Sequence, residues 1–587
     1  MPLDSLPPSP IAIDAPCCRR RSPRLLGVVA VWIAAAALPL LAQHEAHDAA
    51  AAAAAAPAAP VRLYDGLGSA QLSITTYRPE AQRYFDQGLR WMHAFNLEEA
   101  EASFREASRR DPSCAMCAWG TAFALGPHIN LPALPERTVA AAAAIAEAKR
   151  LAAAAPAAAT DRERALVEAM GKRYSDPAPA TPEAQAALDT AYAEAMRAVA
   201  RRFPADAEVR FLLAEALMDL HPWDLYDPES GAPRPWTAEI VDTLETGLKL
   251  DGQHPGLHHL FVHAVEASTR PERGEASADF LRRAMPDAGH MVHMPGHVYQ
   301  RLGRYADAAL ANERAVAVDG GYLPQASSNV AFYRMIYAPH NYDFLAAATG
   351  MQGRSAATLL AARSVHAALD PEMLKQMPGF DFLLGRLQWT LLRFGRFRDV
   401  LAESPPPEGF AFAASAAHAA RGLALLRLHR DDEAAKEAEA MEAAALQVAP
   451  GSTEGLNDAK ALLSIPRQLL LGELAVARGE VDEGVRLLNA AVAAEDRLRY
   501  NEPSDWHFPA RHLAGATLLR LGRNAEAEAL FRADLARNPE NGWALAGLEA
   551  ALARQGNSAE ARTVAARLER AWADADLGLE RLAAPSR

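Results

Sequence analysis

Two short stretches of this chain gather side chains that bind metals. His259, His263 and Glu266 follow one another at steps of four and three, His290, His293 and His297 at steps of three and four, and His340 and Asp343 repeat the step of three. On a helix such steps keep side chains on one face. Neutral imidazole and carboxylate suit zinc, copper, iron, nickel or manganese, whereas calcium and magnesium favour an all-oxygen shell. The residue types therefore point to a transition metal as cofactor, with copper, iron or zinc in view. Eight groups exceed the three or four ligands of one zinc ion, so the surplus would orient ligands, hold a second ion or act as acids and bases. In a catalytic version of the site, Glu266 and Asp343 are the ligands or proton shuttles.

The elements that must position these residues are helices. Half of the 587 residues are hydrophobic, alanine dominates and aromatics are only 7%, which favours helix over sheet throughout. That length exceeds what one compact core needs and suggests several domains or a repeat array. The formal charge of −13 argues against nucleic acid or an anionic membrane as main partner, and makes cations the natural ligand.

From about residue 80 one phrase recurs: a helix, a Gly or polar turn, a second helix with small residues, then Asp-Pro or Asn-Pro. The first copy runs from Ala81 to Pro112, with Tyr84, Gly88, Trp91, Ala100, Phe104 and Ala107; another holds Gly296, Tyr299, Gly303, Tyr305, Ala308 and Ala315. Gly522 and Gly556 lie one 34-residue period apart. These spacings resemble the tetratricopeptide-repeat (TPR) consensus from about residue 80 to 575. The resemblance implies an all-α solenoid of helical hairpins, a right-handed superhelix with a concave groove. It also implies that the first helix of each pair lines that groove, with the histidines among its inward positions. Six of twelve such positions in the three central repeats are His, against about 0.4 expected from 18 in 587. Pro295, between His293 and His297, removes a helical hydrogen bond and starts or kinks a helix there. His254 falls in an inter-repeat turn and His258 on the packing side, so both read as structural, as do His507 and His512 near the C-terminus.

The organisation follows. Arg19, Arg20, Arg21 and Arg24 precede an apolar run from Leu25 to Leu41, the pattern of an export signal cut after Ala42 or of a retained anchor. Residues 1–42 are thus the signal or anchor, 43–79 an Ala/Pro-rich linker and lead-in, 80–252 the N-terminal repeats and 253–370 the central His-rich repeats. An insertion at 323–338 interrupts the latter, and 371–580 are the C-terminal repeats. Aromatic residues of the insertion, Phe332, Tyr333 and Tyr337, either roof the groove or form an extra packing helix. The phrases "HHLFVHAVEAS", "AGHMVHMPGHVYQRLGRYADA" and "PHNYDFLAAATGMQGRSA", with "DPSCAMCAWGTAFALGPHIN" near the front, resemble a group of exported bacterial TPR proteins of largely uncharacterised function. That resemblance implies export, to the periplasm or the inner-membrane surface, and leaves the activity open.

Cys114 and Cys117 form a C-x-x-C at a helix start, a spacing that permits a local disulfide or a redox or metal role. Ala118 stands where covalent haem attachment needs His. Trp119, His128 and Asn130 are candidates to face the same groove. No glycine-rich phosphate loop, H-E-x-x-H helix or G-x-S-x-G elbow occurs. Three readings stand: a redox metal enzyme acting on a peptide or small molecule, a metal-binding or delivery protein without catalysis, and a metal-free scaffold for a protein or peptide partner.

Overall fold

A computed structural model describes residues 61–577 apart from residue 155. The expected signal or anchor, the run from Leu25 to Leu41 and the Ala/Pro tether lie outside the described residues. Within them the chain is a succession of antiparallel helical hairpins. One two-residue β pair, Thr453–Glu454 with Asn457–Asp458, is the only ladder among the described residues. No helix among them is long and apolar enough to cross a membrane.

The first hairpin shows why the sequence folds this way. Helix Pro79–His93 begins with Pro at its first position, where no amide is needed, and helix Leu97–Arg110 is capped by Asn96, whose side chain accepts from the Glu99 amide. Phe104 of the second helix wedges between Gly88 and Gly120, where a Cβ on either glycine would come within 3.0 Å of the ring. Phe531 sits in the same way between Gly515 and Gly547. Both triplets share the 16-residue spacing, so the repeat seen in the sequence is a packing device used at both ends of the array. Gly303, Gly522 and Gly556 take positive φ (73°, 73° and 79°) at the turns between paired helices, a conformation that favours glycine.

The array closes on itself. The lead-in segment reaches the insertion, where Tyr64 Oη lies 2.9 Å from Ser327 Oγ. Glu98 and Glu99 of the first repeat accept from insertion amides, Phe332 N at 3.1 Å and Ser328 N at 2.9 Å. At the other end, Trp543 Nε1 donates to Gly350 O (2.7 Å), Trp572 Nε1 to Met351 O (3.1 Å) and the Ser355 amide to Asp576 Oδ1 (2.6 Å). The surface expected as a concave groove is therefore an interior, walled by N-terminal, central and C-terminal repeats together. The insertion both packs and roofs: helix Ala331–Met335 leads into helix Tyr337–Met351, which starts two residues before Pro339 and carries His340 and Asp343.

Candidate metal centre

Three backbone segments deliver the histidines. Helix Pro255–Glu266 brings His259, His263 and Glu266 onto one face. Pro295 ends the following helix at His293 and starts another, Pro295–Arg301, so His290 and His293 sit on one short helix and His297 on the next. The break does not scatter them: His293 Nε2 and His297 Nε2 are 2.6 Å apart. Helix Tyr337–Met351 adds His340. The nitrogens form two sets, His259–His263–His290 and His293–His297–His340, within each of which the ligand atoms lie within 4.8 Å of one another. His259, His263, Glu266, His290, His293 and His297 are all between 0% and 2% exposed.

The positions of the hydrogens follow from the acceptors. His259 Nδ1 is 2.7 Å from the backbone carbonyl of His93, which can only accept. His293 Nδ1 is 2.7 Å from Asn312 Oδ1, and Asn312 Nδ2 donates to Ala308 O, which fixes the amide's orientation. His263 Nδ1 donates to Glu266 Oε1 and His297 Nδ1 to Oε2, each at 2.7 Å, and Tyr500 Oη donates to the same Oε2 at 2.6 Å. With hydrogens committed to Nδ1, the Nε2 atoms present lone pairs to one another. His259 Nε2 faces His263 Nε2 at 3.2 Å and His290 Nε2 at 3.2 Å. His290, whose Nδ1 has no partner, relieves one contact by carrying its hydrogen on Nε2. The His259–His263 contact keeps two facing lone pairs.

Electrostatics sharpen this. Burial, reinforced by the neighbouring imidazoles, holds His259, His290 and His293 well below the usual histidine range, and burial takes His340 down to about 3. Burial also lowers His263, against the pull of Glu266. His297 is the exception. Burial opposes its charge, but Glu266 and Glu502 raise it to about 10. A proton on its Nε2 then accounts for the close approach of His293. Glu266 itself is held well below the carboxylate range by His297 and His263, although burial works the other way. The interior is thus rich in unprotonated imidazole, with one buried ion pair.

Aromatic rings form the walls. Phe95 and Trp223, both at positive φ (55° and 57°), pack on His263 with ring centroids 6.0 and 5.4 Å away. Phe95 also lies 4.3 Å from His259 and 4.4 Å from His128. Tyr337 of the roof lies 4.5 Å from His290, and Phe344 packs on His293 and His297 at 4.9 and 4.8 Å. Asn130 accepts from Trp223 Nε1 and lies within hydrogen-bond distance of Tyr337 Oη, so His128 and Asn130 do face this interior. One side is open: a cavity of about 400 Å³ reaches His297 and Glu502, with Trp223, Arg301, Tyr500 and His507 on its walls.

Not every expected residue joins. Asp343 sits apart from both histidine sets, because Arg386 Nη2 holds its Oδ2 at 3.1 Å and His507 Nε2 lies 3.2 Å from its Oδ1. Glu266 stands behind the imidazoles, with its oxygens taken by His263, His297 and Tyr500, and together with His263, His297 and Glu502 it forms a third close-set group of possible ligands. Cys114 and Cys117 form a disulfide, buried at the start of helix Ala115–Ala124, where Cys114 Sγ accepts from the Cys117 amide. Tyr500 and Glu502 were not anticipated. They lie more than 230 residues beyond Glu266 on the connection 497–509, whose length between one hairpin and the next was the one available signal. Burial and the charge of Glu266 push Glu502 well above the usual carboxylate range.

A fourth group, His93, Glu208 and His254, is equally close-set but differently hydrogen-bonded. His254 caps the helix Pro255–Glu266 with Nδ1 accepting from the Leu257 amide, so its hydrogen is on Nε2, 3.0 Å from Glu208 Oε2. Glu208 also lies 3.3 Å from His93 Nε2.

No family model matches the chain, and no curated protein matches it in sequence. Among solved structures, the human IFIT1 dimer with m7Gppp-AAAA is similar at 12% identity and a TM-score of 0.30, over 85% of this chain and 92% of that one. A monomeric IFIT1 mutant with Gppp-AAAA gives 11% identity and a TM-score of 0.30, over 85% and 91%. Likeness at that level carries nothing about ligand or function to this chain, whose all-helical repeat architecture rests on its own hairpins.

Proposed function

We propose that this protein binds two transition-metal ions in its histidine interior, one at His259, His263 and His290 and the other at His293, His297 and His340. The observation that carries this reading is the His259–His263 contact, in which two Nε2 lone pairs face each other at 3.2 Å while both Nδ1 hydrogens are committed elsewhere. Two nitrogens bound at about 2.0–2.1 Å to a tetrahedral zinc-like ion lie roughly 3.3 Å apart, so the first set needs little movement once the His290 hydrogen shifts from Nε2 to the unpartnered Nδ1. The second opens from 2.6 Å and releases the proton of His297. Glu266 serves both sets as the carboxylate that fixes tautomer and ring orientation. Asn312 and the His93 carbonyl do the same for His293 and His259.

Copper, iron and zinc all fit an imidazole shell of this kind. The cavity of about 400 Å³ that reaches His297 supports a catalytic reading, a metal-dependent oxidoreductase acting on a small molecule or peptide end admitted from that side. A delivery protein needs no such cavity. The Arg-flanked apolar run from Leu25 to Leu41 and the resemblance to exported bacterial TPR proteins support a periplasmic site of action, soluble or anchored. The test is X-ray absorption on protein reconstituted separately with each of the three metals. Imidazole nitrogens at about 2.0–2.1 Å are expected for the native metal. A spectrum dominated by water or carboxylate oxygen refutes the assignment.

A further inference from the structure

The two histidine sets differ in what surrounds them. In the first, His259, His263 and His290 are at most 2% exposed, and aromatic rings close over them. Phe95 lies 4.3 Å from His259, 5.7 Å from His290 and 6.0 Å from His263 between ring centroids. Tyr337 covers His290 at 4.5 Å, and Trp223 packs edge-on against His263 at 5.4 Å.

Phe95 holds its place against the preference of its own backbone. It occupies the turn between helices Pro79–His93 and Leu97–Arg110, where its amide donates to Met92 O and the Asn96 amide to Trp91 O. In the central repeats Gly303 stands at the equivalent turn, its amide on Gln300 O and the next amide on Tyr299 O; Gly522 repeats the pattern with Leu519 and Leu518. All three positions have positive φ, 55° at Phe95 and 73° at both glycines, a region in which a β-carbon is strained. Trp223 carries the same strain at 57°. Such strain persists where the surroundings require the side chain, and both rings lie against the first histidine set.

The second set has no such seal. His340 alone of the six histidines is partly exposed, and its ring makes no hydrogen bond among the described residues. It rests on the rings of His293, Phe344 and His297 at 4.8, 5.4 and 5.9 Å. His297 and Phe344 line the cavity of about 400 Å³, whereas His259, His263 and His290 do not. Trp223 is also a wall of that cavity, so its ring screens His263 from that side. His290 lacks a partner at Nδ1 but is boxed between Phe95 and Tyr337.

We propose that the two sites are unequal in kind. The ion at His259, His263 and His290 is sealed and exchanges slowly; the ion at His293, His297 and His340 exchanges readily and takes a small coordinating molecule or anion from the cavity. This inference rests on the two-ion reading above and adds which ion meets the substrate.

The test loads the full chain with cobalt(II), counts the bound metal, then follows removal by a chelator and the change in visible absorption on adding azide. One of two equivalents is expected to leave at least about tenfold faster than the other, and azide to perturb that one alone, saturating at one per chain. His340→Ala should keep only the slow, azide-silent ion. Phe95→Gly, which suits the turn, should release the slow ion at least about tenfold faster. Equal exchange of both equivalents in the parent, or azide acting on both or on neither, overturns the proposal while leaving the two-ion reading in place. An azide response that survives in His340→Ala, or an unchanged slow ion in folded Phe95→Gly, overturns it as well. Fewer than two equivalents at the counting step refutes the two-ion reading itself, and the inequality with it.

Discussion

Two histidine–carboxylate clusters meet across a single hydrogen bond, from His259 Nδ1 to the His93 carbonyl, and they are opposites. In the cluster of His93, Glu208 and His254, the carboxylate lies between the two rings, and the hydrogen on His254 points at it. Only His93 Nδ1 is left without a partner, so no convergent set of lone pairs remains. In the cluster built on Glu266, the carboxylate stands behind the rings, takes their Nδ1 hydrogens and turns their lone pairs inward. Residue types and closeness in space are nearly the same in both. The side of the ring that the carboxylate occupies separates a buried hydrogen-bond network from a ligand set.

The comparison breaks most directly at the rings themselves. His263→Ala combined with His297→Ala is expected to abolish tight metal binding at both sets while helical content by circular dichroism stays near that of the parent; retention of two equivalents by this folded variant sinks the contrast. Glu266→Gln comes next. It keeps the rings but weakens their orientation, and a loss of about 10–100-fold in metal affinity is expected in competition titrations. An unchanged affinity would mean that Glu266 does not serve the ligands.

On the other side, Glu208→Gln is expected to leave metal content intact and to lower stability by roughly 1–3 kcal/mol, read from chemical denaturation. Glu208 is held below the carboxylate range by His93 and His254, against burial. A depressed carboxylate contributes stability above its unfolded value and loses it as pH falls through and below about 4.5. The parent should therefore lose stability over that acid range more steeply than Glu208→Gln, measured on metal-free samples of both; equal slopes contradict the assignment. The smallest effect belongs to Tyr500→Phe, which removes one hydrogen bond to Glu266. About 1 kcal/mol, or somewhat under tenfold in metal affinity, is expected.

Much of this was legible in the chain itself. Recurrent small residues and turn glycines announced helical hairpins, and the Gly88–Phe104–Gly120 wedge shows why those positions must be small. Steps of three and four placed His259, His263, His290, His293 and His297 together, even across the break at Pro295. What stayed hidden depended on how far the array coils. Local periodicity fixes which face of a helix is apolar, but closure of a solenoid sums small rotations over many repeats. Tyr500, Glu502 and the closing contact of Trp543 with Gly350 could not be placed from spacing. For the same reason the repeat pattern implies a concave groove but not its closure into an interior. Asp343 shows a local limit, since a step of three from His340 matters less than the guanidinium of Arg386 beside it.

The most direct test of the central claim is the metal stoichiometry of the purified chain by inductively coupled plasma mass spectrometry, after reconstitution and dialysis, set beside Glu208→Gln and the His263/His297 double alanine variant. About two equivalents of one transition metal in the parent and in Glu208→Gln, and essentially none in the double variant, is the result predicted. A parent that retains no metal after reconstitution, or metal that follows Glu208 and not the two histidines, would contradict it.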